Sequence, residues 1–518
     1  MKTFYCIIFA VCFCLSSSIS QAQSFELEEI TVDQLQNLYK SKKYTVRQVV
    51  NIYLKRIDAI DKTGPKLNSV IVVNPDALRI ADQLDKELKA GKSRGPLHGV
   101  PVIIKDNIDT HDKMPTTAGS RALMSSIAPK DSKVVEKLRE AGAVIIAKAN
   151  LSEWANFRSD KSSSGWSGVL GQTKNPYDLS TNPCGSSSGS GAAVSANLCV
   201  LAIGTETNGS IVCPANANGV VGIKPTVGLI SRSGIIPISF SQDTPGPMTR
   251  TVKDAAVMLG SLTGTDKEDS KTALSDKNGL KDYTPYLKSD GLKNKRIGIY
   301  KGPLGKLAEV DTLFFQAIEQ MKKQGAIFVE IDKMTQVKNT NGSSFQVLLY
   351  EFKDGLNKYF ASLGDKAPVK SLKELIAFNK ADSLETKIFD QQLLELAEAK
   401  EDLSSPKYLS ALENMLKGTQ SGGIDSVMNA HNLDAIIAPT GGPAWETDWK
   451  NGDKFSIGSS SPAAIAGYPN ISVPMGFVGN LPVGISFFGK AWTEPVLIEI
   501  AYAYEQKSLK RKAPQFLK

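Results

Sequence analysis

Two segments rich in glycine and serine, Cys184-Gly-Ser-Ser-Ser-Gly-Ser-Gly-Ala-Ala-Val194 and Gly204-Thr-Glu-Thr-Asn-Gly-Ser-Ile-Val-Cys-Pro214, bracket the apolar tetrad Val200-Leu-Ala-Ile203. By composition alone such runs read as flexible linkers. Linkers are not interleaved with core strands, however, and Asn218 to Pro225 resumes apolar sequence at once. The glycines therefore mark places where backbone approaches backbone, or adopts dihedrals closed to other residues, around a site. Any fold for this chain has to bury a strand between two irregular loops.

Similar short β-branched runs recur at Val100-Pro-Val-Ile-Ile104, Val144-Ile-Ile-Ala147, Ala435-Ile-Ile-Ala-Pro-Thr440 and Ile471-Ser-Val-Pro474. Helical spacing lies between them, as from Asp131 to Glu140 before Ala141-Gly142. Phe25 to about Lys92 also reads as helical: Val46, Val49, Val50, Tyr53 and Ile57 are three or four apart, and Thr45 is placed to cap them. The alternation predicts an α/β fold, a large mixed sheet covered by helices. Residues 340–425, rich in Leu, Lys, Glu, Ala and Asp, are expected to be a helical insertion that walls the site. At 518 residues the chain exceeds the roughly 250–300 at which a single core usually stops growing, so it is two domains or one large layered unit.

Lys2 followed by the apolar run Phe4 to Leu15 reads as a secretory leader, with Ser20-Gln-Ala22 as the cleavage site. Residues 1–22 are then a signal peptide, and the mature chain, 23–518, is secreted or periplasmic without stable membrane insertion. It keeps Cys184, Cys199 and Cys213, an odd number clustered in small-residue sequence, read here as buried hydrophobes. A formal charge of +8, with no basic stripe interleaved with aromatics, argues against nucleic acid as a partner. Only His98, His111 and His431 are present, which supports neither a Ser-His-Asp hydrolase nor a metal site.

The glycine-serine segments resemble the amidase signature family, whose nucleophile follows its Gly/Ser motif by about two dozen residues. Gly99-Val-Pro-Val-Ile-Ile-Lys-Asp-Asn107, Gly222-Ile-Lys-Pro-Thr226, Tyr468-Pro-Asn-Ile-Ser-Val-Pro474 and Leu481-Pro-Val-Gly-Ile485 extend the resemblance over most of the chain outside the insertion. Asn150-Leu-Ser-Glu-Trp-Ala-Asn-Phe157, Ser163-Ser-Gly-Trp-Ser167, Gly228-Leu-Ile-Ser-Arg-Ser-Gly234 and Ser241-Gln-Asp-Thr-Pro-Gly-Pro247 are similar to the bacterial peptide amidases of that family. The resemblance implies a single amidase signature domain over 23–518 and a Ser-Ser-Lys triad. In it Ser210 is the nucleophile, Ser186 the bridging serine after a cis peptide bond, and Lys105 the base. It also implies an oxyanion hole and substrate contacts at Thr207, Asn208, Gly209 and Ala155, with no cofactor and no metal.

The chemistry is coherent on its own terms. A serine hydroxyl needs a neighbouring base, and lysine serves as one only when burial keeps it neutral. The expected substrate is a small-molecule or short-peptide amide, a C-terminal peptide carboxamide above fatty, aryl or small aliphatic amides. An amidotransferase A-like subunit is the further alternative, and the leader argues against it. Departures from the commoner family pattern are Glu206, Asn208 and Val212 around the nucleophile, with Cys184 and Ser188 in place of glycines. None of them removes a triad residue.

Overall fold

The computed structural model describes residues 25–517; the expected signal peptide lies outside the described residues. The chain enters through two helices, Val32–Lys40 and Val46–Arg56. Each begins with a reciprocal capping box, Thr31 with Gln34 and Thr45 with Gln48, which satisfies amides that the helix itself leaves free. The N-terminal stretch is not helical throughout, as its spacing suggested. Val70–Val73, all β-branched, forms strand β1 at the sheet edge.

The following strands are β2 (Pro101–Lys105), β3 (Val144–Ala149), the small ribbon β4 (Trp166–Ser167) and β5 (Gly171–Gln172), β6 (Leu201–Glu206), β7 (Val221–Lys224) and β8 (Thr244–Thr249). The sheet is completed by β9 (Arg296–Tyr300), β10 (Ile327–Ile331), β11 (Ala435–Pro439), β12 (Asn470–Val478) and β13 (Leu481–Phe488). Eleven of them form one mixed sheet, ordered β1-β3-β2-β6-β8-β7-β12-β13-β11-β9-β10. Every residue of β2, β3, β6 and β11 is buried, so both faces of the sheet are covered, as near-continuous apolar strands require.

The register sets the site. β2 runs parallel to β6, with Val102 opposite Leu201 and Ile104 opposite Ile203. Lys105 and Thr205 therefore reach the same carboxyl edge, where open α/β sheets bind ligands. The Gly/Ser motif is no linker: it becomes the fully buried helix Ser188–Ser195, packed on β2, β6 and β8. Gly189 permits this, because a side chain there would collide with the carbonyls of Ser69 and Asn150.

Residues 340–425 carry four helices, Thr340–Ser362, Leu372–Ala381, Gln392–Glu398 and Pro406–Thr419. Phe352, Leu356, Phe360 and Leu372 build a second apolar cluster with Trp154, Phe157, Ile236 and Ile238 of the sheet domain. An ion triad fastens the two parts. Arg158 Nη1 lies 2.7 Å from Glu153 and 2.9 Å from Glu385, with all three side chains buried. Burial and the facing Glu385 carboxylate hold the Glu153 carboxyl well above its ordinary range, against the pull of Arg158. Arg158→Met would leave two carboxyls facing each other without a cation. Urea unfolding at pH 8 should then show a loss of roughly 3–5 kcal/mol, smaller at pH 5, where a proton on one carboxyl relieves the repulsion.

Candidate active site

Lys105 ends β2 with no solvent exposure (0%). Its Nζ lies 2.7 Å from Ser186 Oγ, 2.8 Å from Thr205 Oγ1 and 3.2 Å from the Thr205 carbonyl. Burial draws the ammonium down from its ordinary 10.5 to about 7, although the carboxylates of Asp243 and Glu206 pull the other way. Asn107 Nδ2 donates to the same Thr205 hydroxyl at 3.1 Å. The Gly185–Ser186 peptide bond is cis. The Ser187 amide, one residue on, donates to the Ser210 carbonyl at 3.1 Å, which brings the two serine loops together.

Ser210 follows the end of β6 and precedes the helix Val212–Ala217. Its hydroxyl and the backbone amides of Thr207, Asn208, Gly209 and Ser210 have no hydrogen-bonding partner among the described residues. The next two amides, of Ile211 and Val212, are taken by Glu206 Oε2 at 2.8 and 3.0 Å. Gly209 has φ +86°, where a side chain would be strained and would stand 3.1 Å from Ser460 Oγ. A row of open donors thus lies beside an open hydroxyl. The adjoining cleft, about 350 Å³, is lined by Asn156, Gly185, Asn208, Gly209, Trp445 and Phe455, among others.

The Amidase family profile matches residues 48–498. The chain belongs to the amidase family. A probable amidase of Arabidopsis thaliana is 42% identical over 514 residues, covering 97% of this chain and 94% of that protein. The solved native peptide amidase of Stenotrophomonas maltophilia superposes with a TM-score of 0.91 at 48% identity, covering 95% of this chain and 99% of the other. A glutamyl-tRNA(Gln) amidotransferase subunit of Thermoanaerobacter pseudethanolicus is 33% identical over 502 residues, 95% of this chain and 99% of that one. The protein is thus an amidase signature enzyme, a hydrolase acting on amides.

In this amidase Ala155 lines a small pocket with Asn107, Thr205 and Thr207, and is not among the residues that line the cleft. The unexpected feature is its backbone. Trp154, Ala155 and Asn156 all have positive φ, at 52°, 54° and 73°, a run that costs about 1–2 kcal/mol per residue. Asn107, Asn156, Thr205 and Asp243 lie inside the motif segments but draw no role from sequence; as ordinary polar residues they gain one only from where the fold places them. The helical insertion does not wall the cleft. No residue of 340–425 lines it; Thr440, Trp445, Asp453, Phe455 and Ser460 do so instead.

The cysteine expectation also needs correcting. Cys184 and Cys213 form a disulfide, leaving Cys199 as the one free thiol among the described residues, buried and pushed up to about 12. The odd count hid the pair, which becomes evident only when the fold sets the two serine loops side by side. His98 and His111 are held by backbone carbonyls, Leu84 at 3.1 Å and Ala128 at 2.8 Å.

The depressed Lys105 has a direct kinetic consequence. The resemblance implies that Lys105 is the base, and a base must be unprotonated, so kcat/KM of the amidase should rise with pH through an inflection near 7 and then level off. Asp243 raises the lysine's affinity for its proton. Asp243→Asn should therefore move that inflection to lower pH, as read from a pH profile of kcat/KM; a shift to higher pH would contradict the assignment.

Proposed function

We propose that the enzyme is an exported amidase that hydrolyses C-terminal carboxamides of short peptides through Ser210, Ser186 and Lys105. The observation that carries the reading is Lys105 Nζ at 2.7 Å from Ser186 Oγ in a fully buried setting. In a neutral amine two N–H groups serve the two Thr205 oxygens, and the remaining lone pair faces the Ser186 hydroxyl. Ser210 Oγ attacks the carboxamide carbon as its proton passes through Ser186 to Lys105. The free amides of Thr207 to Ser210 receive the oxyanion; such donors contribute about 3–4 kcal/mol each where one has been removed in comparable sites. The relay then protonates the departing ammonia, and water releases the acyl group from Ser210.

The peptide substrate is supported by the 48% identity to a peptide amidase and by the aromatic walls Trp445 and Phe455. The deciding comparison is kcat/KM for an amidated dipeptide against a long-chain fatty amide and an aryl amide, with Ser210→Ala as the inactive control. The dipeptide should win by tenfold or more, about 1.4 kcal/mol at the transition state. A fatty or aryl amide winning by that margin would overturn the peptide assignment and leave the amidase.

Export rests on the leader-like Met1–Ala22 and is supported by the Cys184–Cys213 disulfide, a bond that persists in oxidising compartments. The same features weigh against a cytoplasmic amidotransferase role. N-terminal sequencing of protein from the cell envelope or medium should begin at Gln23; intact Met1 in the cytoplasm would sink the localisation.

A further inference from the structure

The disulfide sits at a particular place in this machinery. Cys184 is two residues before Ser186 and Cys213 three after Ser210, so the covalent ring they close holds both serines, Thr205 and the whole row of free amides. Both cysteines line the cleft, at 4% and 8% exposure. Apart from this bond, segments 184–187 and 207–213 share one direct hydrogen bond among the described residues, from the Ser187 amide to the Ser210 carbonyl. Cys184 is also held at φ +56°, a left-handed conformation that a residue with a side chain tends to leave when nothing restrains it. Its other anchor is its own amide, donating to Asn182 Oδ1 at 2.8 Å.

We propose that the Cys184–Cys213 disulfide is a positioning element for Ser186 and Ser210, so that the site is completed by oxidation and a reduced chain is a folded enzyme of low turnover. The inference rests on the reading of Ser210 as nucleophile. Forming the bond removes two electrons and two protons from the two thiols, taken up by a disulfide oxidant. A dithiol reverses it, supplying two electrons and two protons and closing to its own cyclic disulfide. An exported chain would thus acquire full activity only after leaving a reducing compartment. Cys199 takes no part, being fully buried and held as the protonated thiol.

The test uses the labelling rate of Ser210 by a fluorophosphonate, which reports activated serine whatever the natural amide. Three forms of the mature protein are compared: oxidised, dithiol-reduced, and Cys184→Ala/Cys213→Ala. Folding is followed by circular dichroism and thermal melting in the same buffer. Reduction and the double substitution should each slow labelling about tenfold or more while the protein stays folded. Oxidised glutathione should restore the reduced wild type and leave the double variant unchanged. Equal rates in all three forms overturn the proposal. So does slowing that merely follows the unfolded fraction, or a double variant that does not fold, since the bond is then only a staple. No labelling of the oxidised wild type would instead remove the Ser210 reading, and this inference with it.

Discussion

The contact on which the rest of the structure turns is between Lys105 and its two neighbours, Ser186 and Thr205, at a fully buried position. Moving an ammonium from an ordinary 10.5 to about 7 represents on the order of 5 kcal/mol of disfavoured charge. Two carboxylates, Asp243 and Glu206, act in the opposite direction. The balance leaves an amine that is about half neutral at pH 7 yet still held by hydrogen bonds. Ordinary surface lysines are never in this position, because hydration keeps their charge. What buries Lys105 is the sheet: β2 and β6 are buried along their whole length, and their parallel register carries Lys105 and Thr205 to one edge.

Backbone strain gathers around that edge. Trp154, Ala155, Asn156 and Cys184 all occupy left-handed conformations. Such residues persist only where their surroundings over-determine them, and here the supports can be named. Trp154 packs edge-on to Phe360 of the insertion, with ring centroids 6.4 Å apart, and its amide donates to the Ala118 carbonyl at 2.9 Å. Arg158 binds Glu385 of the insertion just beyond the strained run. The helical insertion therefore acts on the site at one remove, bracing a loop from behind. Its own surface opens elsewhere, on a groove of about 370 Å³ lined by Arg232, Phe240, Glu351 and Lys358 among others.

Much of this was legible in the amino-acid sequence, and the reasons are physical. The strands containing Val102, Ile145 and Ile203 announced themselves because strands buried on both faces are continuously apolar. Thr45 was legible as a cap because its role depends on the next three residues alone. The proposed triad positions rest on local motif resemblance. What stayed hidden depends on distance along the chain. Glu385 is 227 residues from Arg158, and in sequence it is one acid among many in a stretch rich in both Glu/Asp and Lys. β1 was absorbed into a helical reading because four β-branched residues between two helices carry too little periodicity to declare themselves. The Cys184–Cys213 pairing could not be read from three cysteines, since any pairing leaves one over.

The departures from the commoner family pattern fall on one side of the chemistry. Glu206 lies behind the amide row, where its Oε2 accepts from the Ile211 and Val212 amides, while those of Thr207 to Ser210 have no partner among the described residues. Asn208 turns its side chain outward: Oδ1 accepts from Ser460 Oγ at 2.8 Å and Nδ2 donates to Ser461 Oγ at 3.2 Å. Its amide stays in the row while its carboxamide fastens the opposite cleft wall. Cys184 keeps the left-handed backbone that a glycine would adopt without strain, and its bond to Cys213 closes the ring. In these three the backbone donors and the two serines are untouched, and the side chain holds the turn instead; Ser188 Oγ has no partner among the described residues. That is the kind of variation a site built mainly from main-chain atoms tolerates. In the proposed mechanism the reacting geometry depends on where the amides point, and many side chains can hold a turn in place.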